Sequence, residues 1–187
     1  MSDQQKLHSF VLYVENQPGV LNRVASLFRR RAYNIESLTV GHTERPGISR
    51  MTIVAGISEG AAHRVEANLY KLAPVLSVED VTHVPIIARS LAFIKVAAND
   101  ESRYRLMEIA RVFRARVVDL ANESLVIEIT GTEDKVDALV GVLSPFGILE
   151  IARTGQVVMS RGTKPSTNGQ ASGRSNLLLE EEASQSV

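Results

Sequence analysis

Apolar residues along the chain either alternate with polar ones or recur at helical spacing, and the order of these patterns occurs twice. Within the first 83 residues they predict strand, helix, strand, strand, helix and strand. The predicted elements of this first unit are 8–15, 19–31, 34–43, 48–57, 59–72 and 75–83. Proline and glycine clusters separate them, as expected for turns.

The second half repeats this order after a junction at residues 84–89. A continuous apolar strand is followed by an amphipathic helix, a hairpin, a second helix and a last strand. The predicted elements are 90–98, 101–114, 117–121, 124–130, a helix capped by Thr132, and 148–153, with 157–159 extending the sheet. The chain therefore reads as two consecutive βαββαβ units.

Each predicted helix has a single apolar stripe, which suits a helix that covers one face of a sheet. We therefore predict an α+β fold of two ferredoxin-like βαββαβ domains, with antiparallel sheets and helices on one face. The other face of each sheet is then in solvent or covered by a partner. Val11, Val54 and Val117 are predicted on that second face, and they favour a partner.

The division into domains follows from these units. We predict a first domain over residues 1–84, a second over 90–162, and a disordered tail over 163–187. The tail is assigned because its composition changes to Ser, Gly, Asn, Thr and Pro, with little apolar material to form a core.

Composition excludes several classes of function. The 187 residues contain 21 basic and 21 acidic side chains, and this balance argues against nucleic acid or an anionic membrane as the main partner. No apolar run approaches the roughly 20 residues that span a bilayer. The chain has no cysteine, which excludes disulfides and thiolate metal sites. We expect a cytoplasmic protein, since the first residues do not form a secretory leader.

No catalytic constellation is visible. The four histidines lack the spacing of metal ligands and are interpreted as surface or strand-end residues, so we predict no metal. The chain also lacks a nucleophile elbow, a Walker A loop and a Rossmann glycine triplet. A small enzyme of ferredoxin-like fold remains an alternative, and it would need a titratable cluster in a pocket.

One turn has the chemistry of a small-molecule site. Residues 16–21 join the first strand to the first helix, and the absence of a side chain at Gly19 lets a ligand approach the backbone. Backbone amides at a helix N-terminus favour a carboxylate, and Asn16 adds two amide donors and an acceptor beside them. This set suits the carboxylate and the ammonium group of a free amino acid. The alternative is an ordinary capping turn. Asn34 has a similar alternative, as a residue that tolerates left-handed backbone at a helix exit.

Several motifs in the chain are familiar. The first half contains N-x-x-G-x-L, L-F-x-x-R-x-Y-N-I-E-S-L-T-V and S-R-M-T-I, and the second contains R-x-F-R-A-x-V-V-D, G-T-x-x-K-x-D-A and E-I-A-R-T-G. Together they resemble the small regulatory subunit of acetohydroxyacid synthase (acetolactate synthase), over residues 8–162.

The resemblance implies an N-terminal ACT domain that pairs edge to edge in a homodimer and binds an amino-acid effector at the dimer interface. The implied effector residues are Asn16, Gly19, Val20 and Leu21, with Asn34 and Ile35 from the facing protomer. The aliphatic part of the effector would lie against Val20, Leu21 and Ile35. Branched-chain amino acids, most often valine, act as feedback inhibitors in this family.

The resemblance also implies a partner, the large catalytic subunit, which uses thiamine diphosphate, Mg²⁺ and FAD to form acetolactate from two pyruvates. This chain would hold no cofactor and would not be catalytic alone. It would activate that subunit in valine, leucine and isoleucine biosynthesis. The competing hypothesis is a free-standing ACT-domain amino-acid sensor that acts on a different enzyme or regulator.

Overall fold

Two antiparallel sheets, each covered on one face by two helices, make up the part of the chain that the computed structural model describes, residues 6–162. The predicted tail, 163–187, lies outside the described residues. The strands and helices, in chain order, are β1 Lys6–Glu15, α1 Val20–Arg30, β2 Ile35–His42, β3 Ile48–Ile57, α2 Glu59–Tyr70, β4 Val75–Asp80, β5 Ile86–Ala97, α3 Asp100–Val112, β6 Arg116–Leu120, β7 Ser124–Gly131, α4 Glu133–Leu143, β8 Ile148–Arg153 and β9 Val157–Ser160.

The first sheet has the strand order β2-β3-β1-β4, so β1 and β3 are central and β2 and β4 form the edges. Alternation along β1 sends Phe10, Leu12 and Val14 toward the helices, where all three are fully buried. Full burial of such a side chain contributes about 1.5–3 kcal/mol. The core between this sheet and α1 and α2 is therefore built largely by the alternating residues of β1 and β3.

The second sheet repeats the order as β6-β7-β5-β8. Ile94 on β5, Ile127 on β7 and Leu139 on α4 are among the fully buried residues of its separate core. This repetition confirms the predicted pair of βαββαβ units with helices on one face. Val117 packs against this core, so the prediction that it lies on the second face is wrong.

Local signals set the helix ends. Asn99 caps α3 in a reciprocal arrangement with Ser102, which the sequence analysis did not anticipate. Thr132 precedes α4 as predicted, but its side chain makes no capping hydrogen bond. Two residues that follow helices have a positive φ: Ala32 after α1, at 54°, and Arg114 after α3, at 52°. The left-handed residue after α1 is thus Ala32, not Asn34.

The second face of the first sheet is covered by the chain itself. The first four residues of β5, Ile86–Arg89, lie within the predicted junction and pair with β9 instead of forming a loop. Val158 of β9 is completely buried in a small apolar cluster with Val11 and Val81. Val54 on the same face is also buried. The inference that a separate partner covers Val11 is therefore wrong, because β9 folds back over it.

None of the helices within residues 6–162 is long and apolar enough to cross a membrane.

Candidate functional site

The turn from β1 to α1 is fixed to both neighbouring loops at one end of the first sheet. The backbone N–H of Asn16 donates to the carbonyl of Gly47 at 2.7 Å, and that of Glu15 donates to the carbonyl of Pro74 at 2.8 Å. Gly19 then adopts φ of 83°, a left-handed conformation that glycine enters without strain. The sequence reasoning selected this glycine for close approach, and the structure adds a conformational requirement.

The N-terminus of α1 is open to an anion. Gly19 occupies the capping position and has no side chain to accept from the helix, and the first turn contains no acidic residue. Within residues 6–162 the N–H groups of Leu21 and Asn22 have no acceptor, and the first helical bond is Arg23 N–H to the carbonyl of Gly19, at 3.0 Å. Unpaired amides and the positive end of the helix dipole together attract a carboxylate.

The side chains of the two aliphatic residues at this turn point to different environments. Val20 is 4% exposed and belongs to the first core, whereas Leu21 is 44% exposed. Asn16 is exposed as well. A ligand at this turn can therefore contact Leu21 and Asn16 by side chain, but it meets Val20 only through the backbone.

Asn34 and Ile35 lie at the opposite end of the same sheet. Ile35 on β2 lies level with His8, near the start of β1, because both pair with Ala55 on β3. The predicted turn follows Glu15, at the end of β1. Seven residues of strand separate these levels, about 24 Å at a rise of about 3.4 Å per residue. One copy of the chain does not bring the six predicted residues together.

The side chains at that second end are partly engaged. Asn34 is exposed, and its amide donates to the carboxylate of Glu36 at 2.5 Å. Ile35 is half-buried against the first core. Asn34 therefore remains accessible to a ligand or a second chain.

Comparison with known proteins places the chain in a family. A family described as "AHAS small subunit-like ACT domain" matches residues 10–77, and one described as "Small subunit of acetolactate synthase" matches residues 89–162. The chain is 48% identical over 157 residues to a probable acetolactate synthase small subunit of Archaeoglobus fulgidus, covering 84% of this chain and 98% of the relative. It is 46% identical over 154 residues to the acetolactate synthase small subunit of Bacillus subtilis, covering 82% and 90%.

A solved structure agrees. The crystal structure of the acetolactate synthase small subunit from Thermotoga maritima matches with a TM-score of 0.79 and 37% identity, covering 85% of this chain and 99% of that one.

The chain belongs to the family of acetolactate synthase small subunits.

Membership in the small-subunit family confirms the resemblance that the motifs indicated. The chain is a regulatory subunit and is not catalytic alone. Within residues 6–162, no group of three or more His, Cys, Asp or Glu side chains is placed to hold a metal ion.

The small-subunit fold contains one polar cluster that sequence reasoning missed. His8 was interpreted as a surface or strand-end residue, but it is completely buried and its Nδ1 lies 3.0 Å from a carboxylate oxygen of Asp80. Burial alone would raise the pKa of the Asp80 carboxyl. Hydrogen bonds from Thr82 and His8 have the larger combined effect in the opposite direction, so the pKa lies below its ordinary value. This cluster ties the end of β4 to β1.

A second missed feature is a 350 Å³ cleft between the two halves, lined by residues of β2, α4 and the β8–β9 turn. Its lining residues are Glu36, Ser37, Leu38, Glu133, Arg153, Thr154 and Gly155. Gly155 lies close to β2: a Cβ atom there would be 2.7 Å from the carbonyl oxygen of Leu38. The motif E-I-A-R-T-G includes this glycine, but no local pattern showed what it faces.

Proposed function

We propose that this chain binds a large catalytic acetolactate synthase subunit, raises its activity, and makes it sensitive to a branched-chain amino acid, with valine as the first candidate. The single observation that carries the effector proposal is the open N-terminus of α1. Its left-handed Gly19, free amides and acid-free first turn suit a carboxylate.

The remaining chemistry of the turn fits a free aliphatic amino acid. The carboxylate would accept from the N–H groups of Leu21 and Asn22, and Asn16 would accept from the ammonium group through its amide oxygen. The aliphatic side chain would lie against Leu21, where burial contributes about 25 cal/mol per Å² of apolar surface. A charged or strongly polar side chain would gain nothing at that position.

We also propose that the complete site forms between two copies of the chain. Asn34 and Ile35 lie about 24 Å from the turn in one copy, so they can join it only from a second copy. β2 is an edge strand that pairs with no second strand besides β3 within residues 6–162, although the backbone near Gly155 contacts its Ser37–Thr39. Antiparallel pairing of β2 with β2 of a second copy would reverse its direction, and would carry the second copy's Ile35 toward the end where Asn16 lies.

The catalytic chemistry belongs to the partner in this proposal. Thiamine diphosphate, Mg²⁺ and FAD would be held by the large subunit, which would form acetolactate from pyruvate in the cytoplasm. The residues of this chain would bind the effector and the large subunit.

The test is acetolactate formation from pyruvate by the large subunit of the same organism, with and without this chain, titrated with valine, leucine and isoleucine separately. Activation together with inhibition by one of the three is the expected result. Activation without inhibition would contradict the effector assignment of the turn. Amino-acid binding without any effect on acetolactate formation would favour a free-standing sensor.

A further inference from the structure

The two halves of the chain contact each other through the segment 154–158, which lies across the second face of the first sheet. Val158 is completely buried there, with Val11 and Val81. Tyr13, Ile86 and Ala88 pack around this cluster. Such a dry contact excludes water from the centre of the junction, so the halves are held by packing as well as by the chain connection.

Hydrogen bonds to the first sheet also fix the position of the segment 154–158. The N–H of Gln156 donates to Oγ of Ser37 on β2 at 2.9 Å. Arg50 on β3 donates from Nη2 to the carbonyl of Val158, and its guanidinium carbon lies 5.8 Å from the ring centre of Tyr13. Two strands of the first sheet therefore bind the backbone of the same five-residue segment.

The backbone of Gly155 lies close to β2 because glycine has no side chain. A Cβ atom built there would lie 2.5 Å from Oγ1 of Thr39, 2.8 Å from Oγ of Ser37 and 2.7 Å from the carbonyl oxygen of Leu38. These distances are shorter than van der Waals contact, and the carbonyl belongs to backbone that cannot rotate away. A residue other than glycine therefore requires the segment or β2 to shift.

The same segment is held firmly by the second half. The N–H of Thr154 donates to the carbonyl of Leu91 on β5 at 2.9 Å, and the N–H of Leu91 donates to Oγ1 of Thr154 at 3.0 Å. Arg153, at the end of β8, donates to the carboxylate of Asp137 on α4 at 2.6 Å. A displacement of the segment would therefore be transmitted to β5, which holds it by hydrogen bonds, whereas the exposed Arg153–Asp137 ion pair links β8 to α4 only weakly.

We infer that the segment 154–158 couples effector binding in the first half to the second half of the chain. This inference rests on the proposed function. β2 begins with Ile35, a residue of the proposed effector site, and contacts the segment two to four residues later, at Ser37–Thr39. Because packed contacts switch between discrete arrangements rather than deform smoothly, a shift of β2 on effector binding is passed to the segment. Gly155 and Arg50 act as positioning residues in this arrangement.

The test uses Gly155→Ala in the full chain, with Gly141→Ala as the matched control, since a Cβ at Gly141 on α4 meets nothing within 4 Å. Valine binding to each chain is measured by calorimetry, and valine inhibition is measured after reconstitution with the large subunit. We expect Gly155→Ala to bind valine within about twofold of the parent, while saturating valine inhibits the reconstituted enzyme much less than it inhibits the parent, because a coupling of typical size, a factor of about 5 to 150, is lost. Gly141→Ala is expected to match the parent in both.

Ser37→Ala removes the acceptor of the Gln156 hydrogen bond without adding bulk. We expect it to lose part of the inhibition at saturating valine, and this variant keeps the test informative even if Gly155→Ala does not fold. Parental inhibition in both variants would overturn the inference. Loss of valine binding in either would also overturn it, because the segment would then belong to the binding site itself. A parent chain that activates the large subunit but neither binds valine nor confers inhibition would overturn the proposed function, and this inference with it.

Discussion

A carboxylate introduced at residue 19 tests whether the N-terminus of α1 receives the carboxylate of the effector. The informative pair is Gly19→Asp and Gly19→Asn, because the two side chains have nearly the same shape and differ in charge. A Cβ at this position meets nothing within 4 Å, so neither replacement is blocked by its surroundings. The φ of 83° costs about 1–2 kcal/mol for a residue with a side chain, and Asp and Asn tolerate it better than most.

The charge difference sets the expected size of the effect. Two carboxylates about 4 Å apart repel by about 1 kcal/mol in water and about 4 kcal/mol at the effective dielectric near a protein surface. Valine affinity should therefore fall by about fivefold to several hundredfold in Gly19→Asp relative to Gly19→Asn. Activation of the large subunit should persist in both, because the fold is retained.

Calorimetric titration with valine measures this difference directly, and acetolactate assays then show whether inhibition falls in parallel. Raising the ionic strength should narrow the gap between the two variants, because salt screens exposed charges. Equal valine affinity in Gly19→Asp and Gly19→Asn would refute the placement of the effector carboxylate at this turn.

Three further predictions concern the side chains at the turn, the partly buried carboxylate of Asp80 and residues 164–187. Leu21→Ala should weaken valine binding but change the free energy of unfolding by less than about 0.5 kcal/mol. Val20→Ala should lower the free energy of unfolding by about 1–3 kcal/mol, because Val20 lies in the core. Urea unfolding measures both values, and an equal loss in the two variants would contradict the assigned environments of the two side chains. Asp80→Asn should lower the free energy of unfolding at pH 7, because a carboxyl whose pKa is lowered by folding stabilises the folded chain while it is ionised. The difference in the free energy of unfolding between the variant and the parent should shrink as the pH falls below the ordinary carboxyl value of 3.8, where this stabilisation is lost. A difference that does not vary with pH in urea titrations would contradict the prediction. Removal of residues 164–187 should leave activation and inhibition unchanged, because the family match ends at residue 162; loss of either in the reconstituted assay would give that segment a role.

The bounds of several strands were predictable from the sequence alone. The predicted strands 48–57 and 148–153 are observed as β3 and β8, although both faces of β3 are buried and most of β8 is exposed. The predicted repeat of the βαββαβ order also follows from local periodicity, because each helix and strand shows its own apolar spacing.

Contacts between distant parts of the chain were not predictable in this way. Nothing local to Val158 shows that it will cover Val11, since both residues simply alternate within their own strands. Residues 84–89 were interpreted as a junction because the strand pattern strengthens only at Ser90, although pairing with β9 extends β5 back to Ile86. His8 looked like a surface residue because its partner, Asp80, is 72 residues away.

In the candidate site, too, local features were predictable from the sequence and features set by long-range packing were not. Gly19 was selected from its place between a strand and a helix, which is local information. The burial of Val20 and the exposure of Leu21 depend on how α1 packs on the sheet, and adjacent aliphatic residues do not reveal which faces inward. The close approach of Gly155 to β2 depends on a contact between the two halves, so no motif could disclose it.

The return of β9 to the first sheet has a consequence for synthesis on the ribosome. Arg50 and the carbonyl that it binds, at Val158, are separated by 108 residues. At roughly 5–20 residues per second, about 5–20 s pass between the translation of these two positions. Throughout that interval the first sheet can form, but the apolar patch around Val11 has no cover. The nascent chain therefore exposes this apolar patch until β9 has been translated and covers it.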